Sequence, residues 1–170
     1  MPIAELLLPE FDSEVQTTRK VLERVPDDRG EWKPHEKAFK MAHLAQLVAR
    51  LPEWISMTLE QTELDLAPKD KPKSAGYTVE KTATLLALFD KNVKAGRAAL
   101  AKATDADFQV PWTLKVGGKA IVTQPRYMVL RQMVLNHLVH HRAQLGLYLR
   151  LTDQKVPQMY GPTADEGWSA

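Results

Sequence analysis

The feature that most constrains the fold of this chain is a set of four segments in which apolar residues recur every three or four positions. The segments cover roughly residues 4–25, 39–65, 78–103 and 125–151. This spacing places the apolar side chains on one face of a helix. Because single helices of this kind are marginally stable in water, their apolar faces are expected to pack against one another.

Turn-forming residues separate and interrupt the predicted helices. Pro52 lies inside the second helix and predicts a kink, because proline lacks a backbone donor and clashes with the preceding turn. Residues 68–77 are rich in lysine and proline and predict an exposed linker, after which Thr78 serves as the N-cap of the third helix. Two β-prone runs flank Gly117 and Gly118 and predict a short hairpin. The remainder, from residue 152, predicts an irregular tail.

These elements predict a single domain over residues 1–170: an all-α four-helix bundle with a short β-hairpin between helices 3 and 4. The net charge is +2 and both signs are spread along the chain, so no basic block indicates a nucleic-acid partner. The absence of cysteine excludes disulfides, thiolate nucleophiles and cysteine-based metal sites. No stretch predicts a membrane span or a signal peptide, so we expect a cytoplasmic protein without a membrane partner.

Two of the five histidines lie within the apolar stripe of the fourth predicted helix. At about 100° per residue, His141 falls about 40° from His137, one turn along the same face. Leu130, Val134 and Leu145 share that face. Burying two imidazole rings costs free energy unless they are paired, and a divalent transition metal can bind both. We therefore predict that His137 and His141 are metal ligands; the alternative is a pair of core histidines satisfied by neighbouring side chains or water.

A third ligand is needed, because catalytic zinc sites typically have three protein ligands and one open position. His43, on the second predicted helix, is the best candidate, and it falls at the edge of that helix's apolar stripe. His140 projects to the other side of the fourth helix and is predicted as a supporting or surface group. His35 precedes the second helix and is predicted to be solvated. The sequence has no Glu-x-x-His pair of the di-iron type, no phosphate loop and no nucleophile elbow.

Several motifs resemble those of a known family. Residues 136–144 contain a His-x-x-x-His-Arg-x-Gln core, which is followed by Tyr-Leu-Arg at 148–150 and Tyr-Gly-Pro at 160–162. Trp-Lys-Pro at 32–34 precedes the second predicted helix, and Leu-Pro-x-Trp at 51–54 lies within it. Together these motifs resemble the DinB/YfiT-like metalloenzyme family, and the resemblance covers most of the chain.

The resemblance implies a four-helix bundle that forms a homodimer. It implies a zinc, nickel or other divalent ion held by three histidines, one from the second helix and two, His137 and His141, from the fourth. The family's second-helix ligand is expected seven residues before Trp54, a position that is Leu47 here, whereas His43 lies one turn earlier. Either the site has shifted by one turn to His43, or this member has lost a ligand and with it firm metal binding.

Two functions remain open at this stage. The first is a metal-dependent enzyme, either a hydrolase or an S-transferase of low-molecular-weight thiols, which are reactions that the resemblance implies. It would act on a small-molecule substrate, with Gln144, Arg50 and Tyr148 as polar contacts or structural groups, and no general base is identified. The second is a non-catalytic stress or scaffold protein that binds a metal or has lost it, which the Leu47 departure favours.

Overall fold

The structure is a computed structural model that describes residues 1–69 and 81–168, and this part of the chain is mostly helical. The helices are α1 (Ile3–Leu22), α2 (Met41–Arg50), α3 (Glu53–Glu60), α4 (Thr82–Lys102), α5 (Asp105–Gln109), α6 (Arg126–Val129) and α7 (His137–Leu151). A π-helical segment, Leu130–Asn136, joins α6 to α7. The strands are β1 (Glu63–Asp65), β2 (Pro111–Val116) and β3 (Lys119–Pro125). The predicted cap Thr78 and most of the predicted linker lie outside the described residues.

The predicted hairpin is present, and a further strand extends it into a three-stranded sheet. Strands β2 and β3 pair antiparallel around Gly117 and Gly118, whose φ angles are +60° and +82°. Positive φ at both central residues is what a tight two-residue hairpin turn requires. Strand β1 pairs parallel with β2. The second predicted helix is therefore too long. Helical structure ends at Glu60, and Glu63–Asp65, which were predicted as part of the helix, form a strand.

The kink predicted at Pro52 is confirmed, because α2 ends before it and α3 begins after it. Helix α4 packs closely on this kink. The side-chain amide of Asn92 donates a hydrogen bond to the carbonyl of Ala49 at 3.0 Å. One turn further along α4, a Cβ atom added at Gly96 would lie 2.7 Å from the carbonyl oxygen of Pro52. Helix α4 thus has a hydrogen-bonding residue and a glycine where it approaches the kink.

The buried apolar side chains fall into two clusters. The first is contributed mainly by α1, α2, α4 and α7, and the second mainly by α1, α3 and the π segment. Trp112 of β2 is 1% exposed and its ring lies 6.5 Å from that of Trp54 on α3, so the sheet is anchored to the helical layer. Within the described residues, no helix combines the length and apolar character needed to cross a membrane.

The fourth predicted helix is not a single α-helix. Its π segment has a wider turn than an α-helix, so an ideal α-helical projection does not hold across residues 130–136. Regular α-helix resumes at His137, and the predicted relation between His137 and His141 lies wholly within α7. Beyond α7, residues 153–168 form the expected irregular tail, and Val156 and Met159 pack against the core.

Candidate metal centre

The structure brings His137 and His141 together on the inward side of α7. We call these two residues the His pair. Their Nε2 atoms lie 2.8 Å apart, and their ring centroids are separated by 4.5 Å. His141 is 7% exposed and His137 is half-buried. Two imidazoles one helical turn apart therefore present the same ring nitrogen to a common point.

The other nitrogen of each ring faces an oxygen that can only accept a hydrogen bond. Nδ1 of His137 lies 3.3 Å from the carbonyl oxygen of Met133, in the π segment. Nδ1 of His141 lies 2.8 Å from Oε1 of Gln144. Because carbonyl and amide oxygens accept, each Nδ1 carries the proton in this arrangement, and a neutral ring then has its lone pair on Nε2. With Gln144 in this orientation, the two lone pairs of the His pair face each other.

The surroundings of the His pair favour neutral rings. Burial lowers the pKa of His137 and of His141, and the hydrogen bonds that they donate to Met133 and Gln144 offset this only in part. Neighbouring histidine charges lower both pKa values further. Adding a proton to one of the two Nε2 atoms is thus an unfavourable way to pair the facing lone pairs. The donor set, two neutral imidazole nitrogens whose second nitrogens are held by oxygen acceptors, fits a divalent transition metal.

His43, the third predicted ligand, lies near this point but is engaged elsewhere. Its ring is half-buried on α2 and stacks on the ring of Phe39, with centroids 4.3 Å apart. The Phe39 ring in turn lies 6.2 Å from that of His141. Burial lowers the pKa of His43, and its charge is one of those that lower the pKa of His141. Among residues 1–69 and 81–168, no group of three or more His, Cys, Asp or Glu side chains is arranged to hold a metal ion.

An open cavity of about 370 Å³ lies beside the His pair, and two of its lining residues contact the histidines directly. Gln144 bonds His141, and Phe39 stacks on His43. The hydroxyl of Tyr148 donates to the carbonyl of Phe39 at 3.2 Å, which holds one wall in place. The remaining lining is mainly apolar, with one cation, Lys37. The cavity is therefore suited to a small molecule that has an apolar part and an anionic group.

Comparison with known proteins identifies the family of this chain. The sequence profile of the DinB family matches residues 1–168. The chain belongs to the DinB family. Two solved structures of DinB-like proteins resemble it: one from Bacillus cereus, with a TM-score of 0.71 and 20% identity over 94% of this chain and 98% of the other, and one from Bacillus subtilis, with a TM-score of 0.66 and 15% identity over 91% and 97%. At these identities the likeness shows the fold, which is the DinB-like fold, and no curated protein matches.

The DinB motif also contains Arg142, whose role the sequence did not reveal. Its side chain is 0% exposed and forms an ion pair with Glu14 of α1 at 2.6 Å. It donates to the Glu14 carbonyl at 3.1 Å and to the Thr18 hydroxyl at 3.2 Å. The guanidinium lies 5.0 Å from the centroid of the Tyr160 ring, and the Tyr160 hydroxyl donates to Glu14 at 2.7 Å. We call these four residues the Arg142 cluster; it joins α1, α7 and the tail of this DinB chain.

The other residues singled out by sequence lie outside the His pair, and among them the ring of His140 lies 4.8 Å from that of His141. His35 is exposed, as predicted, and His140 is exposed with its Nε2 3.1 Å from Nε2 of Gln144. Arg50 is half-buried and pairs with Glu53 at 3.6 Å. Leu47, at the position where the family ligand is expected, is half-buried one turn beyond His43. Phe39, which forms the stack with His43, was not singled out because nothing in its local sequence marks it as a site residue.

Proposed function

We propose that this DinB protein binds a divalent transition metal, zinc or nickel, through His137 and His141 and acts as a metal-dependent enzyme on a small molecule. One observation supports the proposal above all others: a buried and a half-buried imidazole bring their Nε2 atoms within 2.8 Å of each other. When both rings are protonated on Nδ1, this approach is unfavourable unless a cation binds both nitrogens. A divalent metal ion meets that need with the ligand chemistry that histidine provides.

His43 is proposed as the third ligand. It belongs to the helix that faces α7, and its charge acts on His141. Its present stacking with Phe39 is worth about 1 kcal/mol. A metal–imidazole bond in a folded site contributes more than this, so metal binding outweighs the loss of the stacking. Leu47 cannot serve, because its side chain has no donor atom.

A bound ion would act as a Lewis acid and lower the pKa of the water or thiol that it holds. The protein's own residues supply the rest. Gln144 fixes the ring of His141, and Tyr148 holds the backbone of Phe39 at the cavity wall. Lys37 provides a positive charge for an anionic substrate group. This division of roles suits hydrolysis and the transfer of a low-molecular-weight thiol.

The proposal includes a four-helix bundle that forms a homodimer in the cytoplasm. Four long helical units support the bundle: α1, the kinked pair α2–α3, α4, and the run from α6 to α7. Helix α4 contacts α1, α2 and α3, and α7 contacts α1 and α2. Homodimer formation rests on the family resemblance and is tested by light scattering on the purified protein. The cytoplasmic location stays a prediction from the sequence.

Metal analysis of untagged protein, expressed with added zinc or nickel, tests the proposal. The parent should retain close to one ion per chain, and His141→Ala should retain little. His43→Ala should bind more weakly than the parent. The matched control is His35→Ala, an exposed histidine whose loss should change nothing. If His141→Ala binds as much metal as the parent, the site is not at the His pair.

A second candidate function is non-catalytic metal binding. It is favoured by the absence, among the described residues, of a third side chain already in place. The two candidates differ in one measurement. A thiol-conjugation assay with a small electrophile, run on metal-loaded parent and on His141→Ala, should show turnover that depends on the histidine if the protein is an enzyme. Metal binding by the parent with equal background rates in both would favour the non-catalytic function.

A further inference from the structure

We infer that Gln144, which contacts both His141 and His140, is a positioning residue that selects the ring tautomer of His141. The inference rests on the proposed metal site and extends it to a control over whether the site can accept an ion. All three residues lie on α7. Gln144 is three residues beyond His141 and four beyond His140, the spacings at which helical side chains meet.

The contacts define a short relay. Oε1 of Gln144 lies 2.8 Å from Nδ1 of His141, and Nε2 of the same amide lies 3.1 Å from Nε2 of His140. One end of an amide only accepts hydrogen bonds and the other only donates. In this orientation Gln144 accepts from His141 and donates to His140, whose Nε2 must therefore carry a lone pair.

This orientation is the metal-accepting one. With its proton held on Nδ1, the neutral ring of His141 has its lone pair on Nε2, facing His137. The metal-accepting state therefore depends on which end of the Gln144 amide faces His141.

Turning the amide by 180° gives a second arrangement that is equally complete. The amide N–H then donates to Nδ1 of His141, so the ring carries its proton on Nε2 and donates it to Nε2 of His137. The His pair closes on itself as an ordinary hydrogen bond at the observed 2.8 Å. His141 stays neutral, since one proton has left Nδ1 and one has been gained at Nε2, both by exchange with water. His140 shifts its own proton to Nε2 to meet the amide oxygen.

Only one member of the His pair can be switched in this way. Nδ1 of His137 faces the backbone carbonyl of Met133, which belongs to the π segment and cannot exchange a donor for an acceptor. The tautomer of His137 is thus fixed with its lone pair on Nε2. The side-chain amide beside His141 can rotate, so Gln144 is the point at which the site opens or closes.

Two substitutions separate positioning from packing. Gln144→Glu places an acceptor toward His141 in either rotamer and holds the metal-accepting tautomer. Gln144→Met keeps the length and removes both hydrogen bonds. In competition titrations of metal-free protein with Zn²⁺ and a chelator, we expect Gln144→Met to bind about 10–100-fold more weakly than the parent. Gln144→Glu is expected to bind at least as tightly as the parent. The control Gln132→Glu adds the same charge at an exposed residue of the π segment and should leave affinity near that of the parent.

The ring tautomers can be observed without a metal. Nitrogen-15 NMR of the imidazoles distinguishes a protonated Nδ1 from a protonated Nε2. In metal-free protein we expect His137 to be protonated on Nδ1 in every variant, and His141 to shift toward protonated Nδ1 in Gln144→Glu relative to the parent. If His141 shows the same tautomer in the parent, Gln144→Glu and Gln144→Met, the inference is wrong. Loss of the metal site itself would appear separately, as unchanged metal content in His141→Ala.

Discussion

His141 and Arg142 are neighbours in sequence and are both buried on α7, yet their surroundings differ in kind. The Arg142 cluster contains a cation, its counter-ion, a backbone acceptor and an aromatic face, all contributed by this chain. The His pair contains two nitrogens of the same kind turned toward each other. Although Nε and Nη2 of Arg142 have no hydrogen-bond partner among the described residues, the charge of Arg142 is balanced by Glu14. A buried charge with a counter-ion in the same chain holds the fold together, whereas two like nitrogens turned toward each other fit a partner from outside.

The comparison predicts its largest effect at Arg142. Arg142→Met should lower the free energy of unfolding by about 3–5 kcal/mol, because it leaves the Glu14 carboxylate buried without its cation. Urea denaturation measures the change. The control is Arg150→Met, since Arg150 is an exposed residue of α7 that pairs with Asp165 at the surface. That loss should be about 1 kcal/mol or less. Similar losses for the two arginines would break the comparison.

At the His pair, the free energy of unfolding should depend mainly on metal binding and only weakly on loss of a side chain. At a free Zn²⁺ concentration about 100 times the dissociation constant, the parent should gain about 2.7 kcal/mol in unfolding free energy. His137→Ala should gain almost nothing under the same conditions, while His35→Ala should gain as much as the parent. Thermal unfolding with and without the ion gives both values. A full gain in His137→Ala would show that the pair does not hold the metal.

Tyr160 sharpens the description of the Arg142 cluster. Tyr160→Phe removes the hydrogen bond to Glu14 but keeps the ring beside the guanidinium, so unfolding should become easier by about 1 kcal/mol. Tyr160→Leu removes the ring as well and should cost about 0.5–1 kcal/mol more. Urea denaturation of the three proteins measures both steps. If Tyr160→Phe is as stable as the parent, the tail is held by the ring alone.

Asp65 is a half-buried counterpart of the Arg142 cluster, and the smallest effect is expected there. Its carboxylate accepts hydrogen bonds from the backbone N–H groups of Ala67, Gly117 and Gly118, which lower its pKa. The folded protein therefore binds this proton less readily than the unfolded chain. The stabilisation is present above the unfolded-state pKa of about 3.9 and is lost as pH falls through the lowered folded-state pKa.

The substitution Asp65→Asn tests this direction of the change in stability with pH. The parent should be more stable than the variant near neutral pH, and the difference should shrink as the pH falls below about 4. Unfolding curves over a pH series measure it, with Asp28→Asn as the control at an exposed aspartate. A stability difference that stays constant down to pH 2 would show that the carboxylate charge plays no part at this turn.

The sequence predicted those parts of the fold that depend on local pattern. Helices α1 and α4 and the hairpin follow from apolar spacing and from a glycine pair, and the residues that carry those signals are adjacent in the chain. Strand β1 was missed because its three residues are ordered by pairing with β2, about fifty positions away. The π segment was missed because its residues also suit an α-helix, and its turn is set by packing, including contacts with α3.

The candidate site likewise has parts that the sequence predicted and parts that depend on distant segments. The closeness of His137 and His141 followed from their spacing on one helix. The stack of Phe39 on His43 and the pairing of Arg142 with Glu14 depend on distant segments, and the latter joins residues 128 positions apart. The carbonyl of Met133, which fixes the tautomer of His137, is a backbone group and carries no side-chain signal.

The close approach of α4 to the kink at Pro52 limits which sequences this backbone can tolerate. Any side chain at position 96 would place its Cβ atom 2.7 Å from the main-chain oxygen of Pro52, so the backbone would have to shift. Proline at 52 and glycine at 96 should therefore be inherited together, and a relative that carries a larger residue at the second position is expected to have straightened the first helix pair. Substituting both positions at once, rather than either alone, offers an engineering route to an uninterrupted helix.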